Sequence, residues 1–233
     1  MSDIIRQLGV QVSLKDLGDL HYFIRVEVQQ TREGIFLSQQ KYIRDLLKRA
    51  NMEGARPIHT PLSTKPTLQL NDGHPPADQK QYKSVIGALQ YLPITRPDIV
   101  FAVNKLAQFM HQSSQLHWTS TKRVFRYLKG TITHGISLTP SVNPYLSGYS
   151  DEDWGTNPDN IHSTSAYLIV FRNCPISWSI RKQHLVARSC TEAKYRALAS
   201  ATSERIWIRT LLHALGIKTS KRPSIYCDNI GAT

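Results

Sequence analysis

The chain has 233 residues, of which 40% are hydrophobic and 20% are charged. This composition is typical of a folded globular chain and excludes a disordered one. The longest apolar runs are far too short for a membrane span, and residues 1–9 lack the basic and apolar segments of a signal peptide. We therefore predict an intracellular protein of the cytoplasm or nucleus, neither secreted nor inserted in a membrane.

Positive charge dominates the composition, with 29 Lys and Arg against 17 Asp and Glu and a formal net charge of +12. Residues 1–145 hold 18 basic and 10 acidic side chains, and residues 146–233 hold 11 and 7, so the excess is not confined to a tail. Such an excess attracts polyanions such as nucleic acid. Many soluble proteins are basic without binding one, so charge alone leaves both interpretations open.

Cysteine and histidine do not indicate a structural metal site. The three cysteines, Cys174, Cys190 and Cys227, are odd in number and widely spaced, so the sequence predicts no disulfide framework. The nine histidines include no HExxH motif, and no Cys/His cluster is visible. A structural zinc site is therefore not expected.

A hairpin and a helix are predicted first along the chain. LHYFIRVEV (20–28) has the β-branched and aromatic residues of a strand, and TREG (31–34) supplies a turn before a second strand, IFLSQ. Residues 39–52 place apolar side chains at helical spacing, with basic side chains on the outer face. Several prolines and an NDG sequence then predict a loop or linker at 57–76.

Three further helices are predicted at 81–92, 97–110 and 117–131. The last is basic and carries Phe125 and Tyr127 among its cations, a pattern that suits a helix tracking a phosphate backbone. An ordinary solvated face over a core explains the same pattern, and that alternative stays open. The candidate nucleic-acid-binding residues are Lys122, Arg123, Arg126 and Lys129.

After a predicted loop at 137–144, the pattern changes to three strands, one long helix and a final strand. The predicted strands are YLSGYSDEDW (145–154), 163–171 and 176–189, the helix is 191–215, and the last strand is 223–229. Gly216 follows the helix as a C′ glycine would. This order predicts a mixed α/β unit at the C-terminal end.

Two aspartates stand at equivalent places in this unit. Asp151 and Asp228 each end an apolar strand, so their carboxylates converge if the two strands are neighbours. Mg²⁺ prefers several oxygen ligands, and phosphodiester hydrolysis commonly uses two such ions. Aspartate is also a common turn residue after strands, which is how Glu152 and Asp153 are interpreted.

Long motifs in a defined order carry a resemblance to a known family. The C-terminal motifs resemble the ribonuclease H domain of Ty1/copia-type retrotransposon polyproteins: GYSDEDW, HSTSAY, ISWSIRKQHLVARS, CTEAKYRALA and YCDN. The upstream motifs resemble the end of the reverse transcriptase and the segment that joins it to ribonuclease H: DLGDLHYFIRVEV, GIFLSQQKYIRDLL, IGALQYL, TRPDIVFAVNKLAQFM and KRVFRYLKGT. The resemblance covers essentially the whole chain.

The resemblance implies a ribonuclease H-like mixed sheet, truncated at its C-terminal end, preceded by a helical reverse transcriptase thumb/connection-like region with a short hairpin. The implied domains are a palm/thumb-like end at 1–60, a helical connection at 61–145 and the ribonuclease H-like domain at 146–233. The implied activity is Mg²⁺-dependent cleavage of the RNA strand of an RNA/DNA hybrid. Asp151 and Asp228 match the aspartates of the family's YSD and CDN motifs, as catalytic residues and metal ligands.

Three departures from the family pattern change what we expect of this chain alone. The missing polymerase motif leads us to expect no polymerase activity, and the missing fourth acid and Lys194 lead us to expect little or no cleavage. The polymerase YVDD motif would precede residue 1, and the family's last elements, with a fourth acidic ligand, would follow Thr233. The third departure is CTEAKYRAL (190–198), where the family has TEAEYRAL, so Lys194 takes the place of the catalytic glutamate. The expected partners are an RNA/DNA hybrid and the remainder of a retrotransposon polyprotein. Two alternatives stay open: a non-catalytic, basic nucleic-acid-binding fragment and an inert retroelement relic.

Helical geometry argues that Glu192 does not replace the missing acid. Leu198, Ala201, Ile208, Leu212 and Leu215 form the predicted apolar stripe, and position 194 lies one turn before its start. Glu192 is about 200° around the axis from position 194. Ser189 followed by Glu192 fits a capping box, so we interpret Glu192 as a helix cap.

Overall fold

The computed structural model describes residues 20–140, 144–155, 159, 161–217, 219 and 224–228. Within these ranges the chain forms five α-helices and two four-stranded sheets, so it is a mixed α/β protein. Residues 1–19 of the predicted domain 1–60 lie outside the described residues. The division at 60/61 and 145/146 stays a prediction.

The first sheet is antiparallel throughout, with its strands in chain order. The strands are β1 (Tyr22–Phe23), β2 (Val26–Thr31), β3 (Gly34–Ser38) and β4 (Gly135–Leu138). Pairing of Thr31 with Gly34 confirms the predicted hairpin turn. β4 overlaps the start of the predicted loop at 137–144, because pairing with β3, about 100 residues earlier, decides its conformation.

The prediction of a single strand at 20–28 is wrong, since a tight turn separates β1 from β2. At this turn Ile24 and Arg25 have φ values of 48° and 65°, a region that branched side chains rarely occupy. The Arg25 guanidinium lies 4.5 Å from the ring centre of Tyr42 and 4.7 Å from that of Tyr91. These contacts hold the turn against the helical region, which a local strand pattern does not reveal.

The four helices that lie between β3 and β4 in the chain share one apolar core. They are α1 (Gln40–Arg49), α2 (Gln79–Leu89), α3 (Val100–Ala107) and α4 (Gln115–Gly130). Ile43, Ile86, Leu106 and Leu128, one from each helix, are fully buried in this core. The predicted helices at 39–52 and 117–131 are confirmed, because the side chains at helical spacing are the buried ones.

The predicted helices at 81–92 and 97–110 are shorter than their patterns indicate. α2 ends at Leu89 and is followed by a 3₁₀ turn, Leu92–Ile94, while a second 3₁₀ turn, Pro97–Ile99, precedes α3. Arg96, between the two turns, is 1% exposed and donates to Asp98 and to the Thr131 carbonyl. The buried guanidinium thus holds the segment between the two 3₁₀ turns against Thr131, a residue distant in sequence.

The second sheet has the strand order β7-β6-β5-β8, in which β5 and β8 are parallel and the other pairs antiparallel. Its strands are β5 (Leu146–Asp153), β6 (Thr164–Phe171), β7 (Cys174–Lys182) and β8 (Ser224–Cys227). The predicted strand at 176–189 is wrong beyond Lys182, where the chain leaves the sheet toward the last helix. In the predicted strand 223–229, residues 223 and 229 lie outside the described residues.

Helix α5 (Cys190–Ala214) covers one face of the second sheet. Its buried residues are Ala193, Ala197, Ala201, Ile208 and Leu212. The predicted stripe is therefore wrong at Leu215, which is 65% exposed, and at Leu198, which is only partly buried. Three alanines one turn apart let the helix approach the sheet closely, so small side chains rather than large ones mark its buried face.

The end of α5 agrees with the predicted C′ glycine. Gly216 has a φ of 74°, its backbone N–H donates to His213, and the Ile217 N–H donates to Leu212. This pair of bonds is the Schellman arrangement, which satisfies the last carbonyls of a helix.

Edge strand β7 joins the second sheet to the helical region. The Trp178 indole N–H donates to the Pro93 carbonyl at 2.8 Å, and the Asn104 side-chain amide donates to the Ile180 carbonyl at 2.7 Å. The second bond occupies a backbone carbonyl of the strand edge that would otherwise be free to pair. Across the described ranges, no helix has the length and apolar character needed to cross a membrane.

Candidate functional site

The two predicted site aspartates meet at one edge of the second sheet. β5 and β8 are parallel neighbours, with Ser150 paired to Cys227, so Asp151 and Asp228 are the next residues on the two chains. Both carboxylates line the same cleft, which has a volume of about 540 Å³. The expected convergence of the two strand ends is therefore observed, while their role as metal ligands stays a prediction.

Lys194 also reaches this edge. It projects from the second turn of α5, and its Nζ donates a hydrogen bond of 2.7 Å to Oδ1 of Asp228. The lysine side chain is 12% exposed and the aspartate side chain is 67% exposed. This hydrogen bond lowers the pKa of the Asp228 carboxyl below its ordinary value and raises the pKa of Lys194. An ammonium group thus contacts one of the two predicted metal ligands directly.

Asp151 remains accessible at the rim of the cleft. Its side chain is exposed, and its Oδ1 accepts a hydrogen bond of 2.8 Å from the backbone N–H of Glu152. It lies on the opposite face of β5 from the residues that pack against α5. Asp151 is therefore placed to contact a solute.

Glu152 and Asp153 are strand residues, and their interpretation as turn acids is wrong. Glu152 lies toward α5, where its Oε1 accepts a hydrogen bond of 3.2 Å from the Cys190 thiol and its Oε2 is buried without a partner among the described residues. Burial raises the pKa of Glu152, and the hydrogen bond raises the pKa of Cys190. The alternation of Leu146, Gly148, Ser150 and Glu152 along β5 is the sequence signal that places Glu152 beneath α5.

The described residues do not fit a bound Mg²⁺ ion. Within the ranges that the structure describes, no group of three or more His, Cys, Asp or Glu side chains is arranged to hold a metal. Mg²⁺ requires near-octahedral oxygen coordination, and one of the two available carboxylates is already paired with a lysine. The chemistry of this donor set favours an internal ion pair over a divalent cation.

Glu192 is a helix-cap residue, as its sequence position predicts. Ser189 Oγ accepts from the Glu192 N–H at 3.1 Å, while the Glu192 carboxylate accepts from the Arg188 N–H and from the Arg196 guanidinium, each at 2.8 Å. These donors lower the pKa of Glu192. Its carboxylate is thus engaged at the start of α5 and does not take the place of the absent acid.

The cleft beside the aspartates is mainly apolar and aromatic. Tyr149 and Tyr226 stack with ring centres 5.3 Å apart, and the Tyr226 hydroxyl lies 3.4 Å from that of Tyr145. Leu168, Trp178, Ile180, Val100 and Pro97 form its other apolar walls. The cleft therefore lies between the sheet face that α5 leaves uncovered and the start of α3.

Three of the four candidate nucleic-acid-binding residues on α4 bind the chain itself. Arg123 donates to the Thr60 hydroxyl at 2.6 Å, Arg126 to the Arg56 carbonyl at 2.8 Å, and Lys129 to the Glu53 carbonyl. Lys122 is exposed, with its Nζ 5.7 Å from the ring centre of Trp118. The basic face of α4 thus anchors residues 53–60, and nucleic-acid binding by these four residues stays a prediction.

Comparison with known proteins identifies several clear relatives. The chain is 47% identical over 226 residues to the retrovirus-related Pol polyprotein from transposon RE2 of Arabidopsis thaliana, covering 97% of this chain and 16% of that protein. It is 45% identical over 233 residues to the Pol polyprotein from transposon RE1 of the same plant, covering 100% of this chain and 16% of that protein. The chain therefore spans about one sixth of the length of these polyproteins.

A shorter relative is similar over most of its own length. An uncharacterised mitochondrial protein of Arabidopsis thaliana is 40% identical over 205 residues, which cover 88% of this chain and 85% of that protein. No protein-family model matches the chain, and no solved structure is significantly similar to it. The family assignment thus rests on similarity to whole protein sequences.

Proposed function

Because this chain belongs to the family of retrovirus-related Pol polyproteins from copia-type transposons, we propose that it is a reverse transcriptase/ribonuclease H fragment with impaired cleavage. The family activity is Mg²⁺-dependent hydrolysis of the RNA strand of an RNA/DNA hybrid. The parallel β5–β8 pair, the helix packed across it and the two carboxylates at its edge support a ribonuclease H-like arrangement. The whole polyprotein's further activities are not assigned to this fragment.

We infer the impaired cleavage from the 2.7 Å hydrogen bond that Lys194 donates to Asp228. A cation at this position repels a divalent ion and occupies one of its predicted ligands. Repulsion between the ammonium and a divalent ion, together with the loss of a free carboxylate, reduces metal occupancy. Hydrolysis that depends on that metal should fall accordingly.

A cleavage assay tests this proposal. The chain is incubated with an RNA/DNA hybrid labelled on the RNA strand, in Mg²⁺ and in EDTA, beside Asp151→Asn as the matched inactive control. We expect the chain in Mg²⁺ to release no more product than the Asp151→Asn variant. Rapid Mg²⁺-dependent cutting that Asp151→Asn abolishes would contradict the proposed impairment.

Nucleic-acid binding without cleavage is the second candidate function, and the net charge of +12 favours it. Lys122 is an exposed cation on the candidate helix, so its removal leaves the hydrogen bonds from α4 to residues 53–60 intact. We expect hybrid binding that weakens steeply with added salt, and a salt slope lower by about one in Lys122→Ala. Failure to bind a hybrid at low salt would exclude this function.

A further inference from the structure

We propose that Lys194 is a built-in cation that takes the place of a divalent ion at the β5–β8 edge. In this role its ammonium pairs with the Asp228 carboxylate and holds β8 against α5, so that the edge is stable without Mg²⁺ and takes up none. The inference rests on the proposed function in one respect: it takes this edge to be the place where members of the family bind their metal ion. It extends that function by assigning Lys194 a stabilising role.

The position of Lys194 is set by the close packing of α5. Ala193 is 0% exposed and Ala197 is 1% exposed, so the helix backbone on either side of Lys194 lies tight against the sheet. With 12% of its side chain exposed, Lys194 buries most of its aliphatic stem and presents its ammonium to Asp228. The lysine cannot move its charge into bulk water without exposing that stem.

The ion pair connects two elements that have few other means of attachment. β8 has four residues and, within the described part of the chain, pairs only with β5. Asp228 follows the last residue of β8, so its bond to Lys194 ties the end of this edge strand to α5. The pair therefore supplies the cross-link that a metal ion between the same elements would supply.

The charges around Lys194 favour an ammonium over a divalent ion. Asp228 is its direct partner, and Asp151 and Glu152 lie at the end of the neighbouring strand. With Lys194 in place, the Asp228 carboxylate already has a compensating charge, and the same ammonium lowers the pKa of Glu152 against the effect of burial. A Mg²⁺ ion would have to displace the ammonium and then remain close to it, which opposes its binding.

The test compares thermal unfolding of the full chain in excess Mg²⁺ and in EDTA. We expect the native chain to have the same melting temperature in both, within about 1 °C. Lys194→Glu should melt at a lower temperature in EDTA because an additional carboxylate joins the edge. Mg²⁺ should then raise its melting temperature by roughly 3–6 °C, since a ligand that binds only the folded state stabilises it.

Arg196→Glu is the matched control, because it makes the same charge change two residues further along α5. Arg196 pairs with Glu192 and does not face the carboxylates of the edge. It should therefore lose stability without gaining any response to Mg²⁺. Adding Asp151→Asn to Lys194→Glu should reduce the Mg²⁺ response and so locate the bound ion at this edge.

Three outcomes would overturn the inference: a Mg²⁺ response in the native chain, no response in Lys194→Glu, or an equal response in Arg196→Glu. If Lys194→Glu does not fold, calorimetric titration of the native chain with Mg²⁺ decides the question. Absence of binding heat supports the built-in cation, and stoichiometric uptake that Asp228→Asn removes contradicts it. Hybrid binding and cleavage are measured separately, so failure of the proposed function is distinguishable from failure of this inference.

Discussion

The helical region and the second sheet differ in how their cores are built. Among the described residues, α1–α4 and their connections bury 17 hydrophobic side chains in one cluster, whereas the second sheet and α5 form a cluster of four. The helical region is packed from several directions, while α5 covers one face of the sheet and the cleft lies on the other. The candidate site thus belongs to the part of the molecule with less packing around it, where local opening costs less free energy.

We expect the largest losses of stability from large-to-small substitutions, and these losses can be compared between the two cores. Ile86→Ala, in the helical core, should lower the free energy of unfolding by about 4 kcal/mol, and Ile208→Ala, between α5 and the sheet, by about 2 kcal/mol. Phe101→Ala is the control, because Phe101 is 47% exposed and should lose less than about 1 kcal/mol. Denaturant unfolding measures all three, and equal losses for Ile86 and Ile208 would contradict the difference between the cores.

Asp98→Asn tests whether the helical region also depends on a buried charge. Asp98 accepts two hydrogen bonds from Arg96, which is 1% exposed, and one from Tyr127. Removing the carboxylate leaves a buried guanidinium uncompensated, which typically costs 3–5 kcal/mol. Because the Asp98 side chain is 34% exposed, we expect about 2 kcal/mol by denaturant unfolding.

The pair of Arg96 and Asp98 also predicts that the stability of the chain depends on pH. Burial alone would raise the pKa of Asp98, but the hydrogen bonds and charge of Arg96 outweigh it, so the pKa lies below its ordinary value. The stabilisation is therefore complete above the pKa of the unfolded carboxyl, about 3.9, and is lost as the pH falls through the lower folded value. Asp98→Asn should lack this acid-induced loss, and an identical loss in both proteins would contradict the assignment.

A smaller loss of stability is expected from a substitution at the start of α5. Ser189→Ala removes the acceptor for the Glu192 N–H and should cost about 1 kcal/mol. Ser203→Ala is the control within the same helix, because among the described residues the Ser203 hydroxyl donates only to the Ala199 carbonyl, and its loss should be nearly neutral. If both variants lose the same stability in denaturant unfolding, the cap contributes nothing specific.

Sequence patterns predict the elements whose conformation is decided locally. Residue spacing predicts the amphipathic helix α1. Backbone preference predicts the turn between Thr31 and Gly34 and the glycine that ends α5. Elements decided by distant partners are predicted less well. The turn at Ile24 depends on Arg25 stacking against the helical region, and β4 depends on its pairing with β3.

In the candidate site, too, the sequence predicts what is decided locally and misses contacts between residues that are distant in the chain. Family motifs and strand ends predict the meeting of Asp151 and Asp228, and helical spacing separates Glu192 from position 194. The ion pair between Lys194 and Asp228 joins residues 34 apart, so local spacing does not reveal it. Likewise, the basic side chains of α4 bind residues 53–60, which precede α2 and α3 in the chain, and a helical pattern alone does not distinguish that role from phosphate binding.

A double-mutant cycle between Lys194 and Asp228 tests the central claim most directly. Lys194→Met, Asp228→Asn and the double variant are compared with the native chain by denaturant unfolding, in EDTA so that no divalent ion contributes. If the ammonium holds the end of β8 against α5, each single substitution destabilises the chain, and the double variant loses less than the sum of the two losses. Strictly additive losses would show that the two side chains do not interact in solution and would contradict the account.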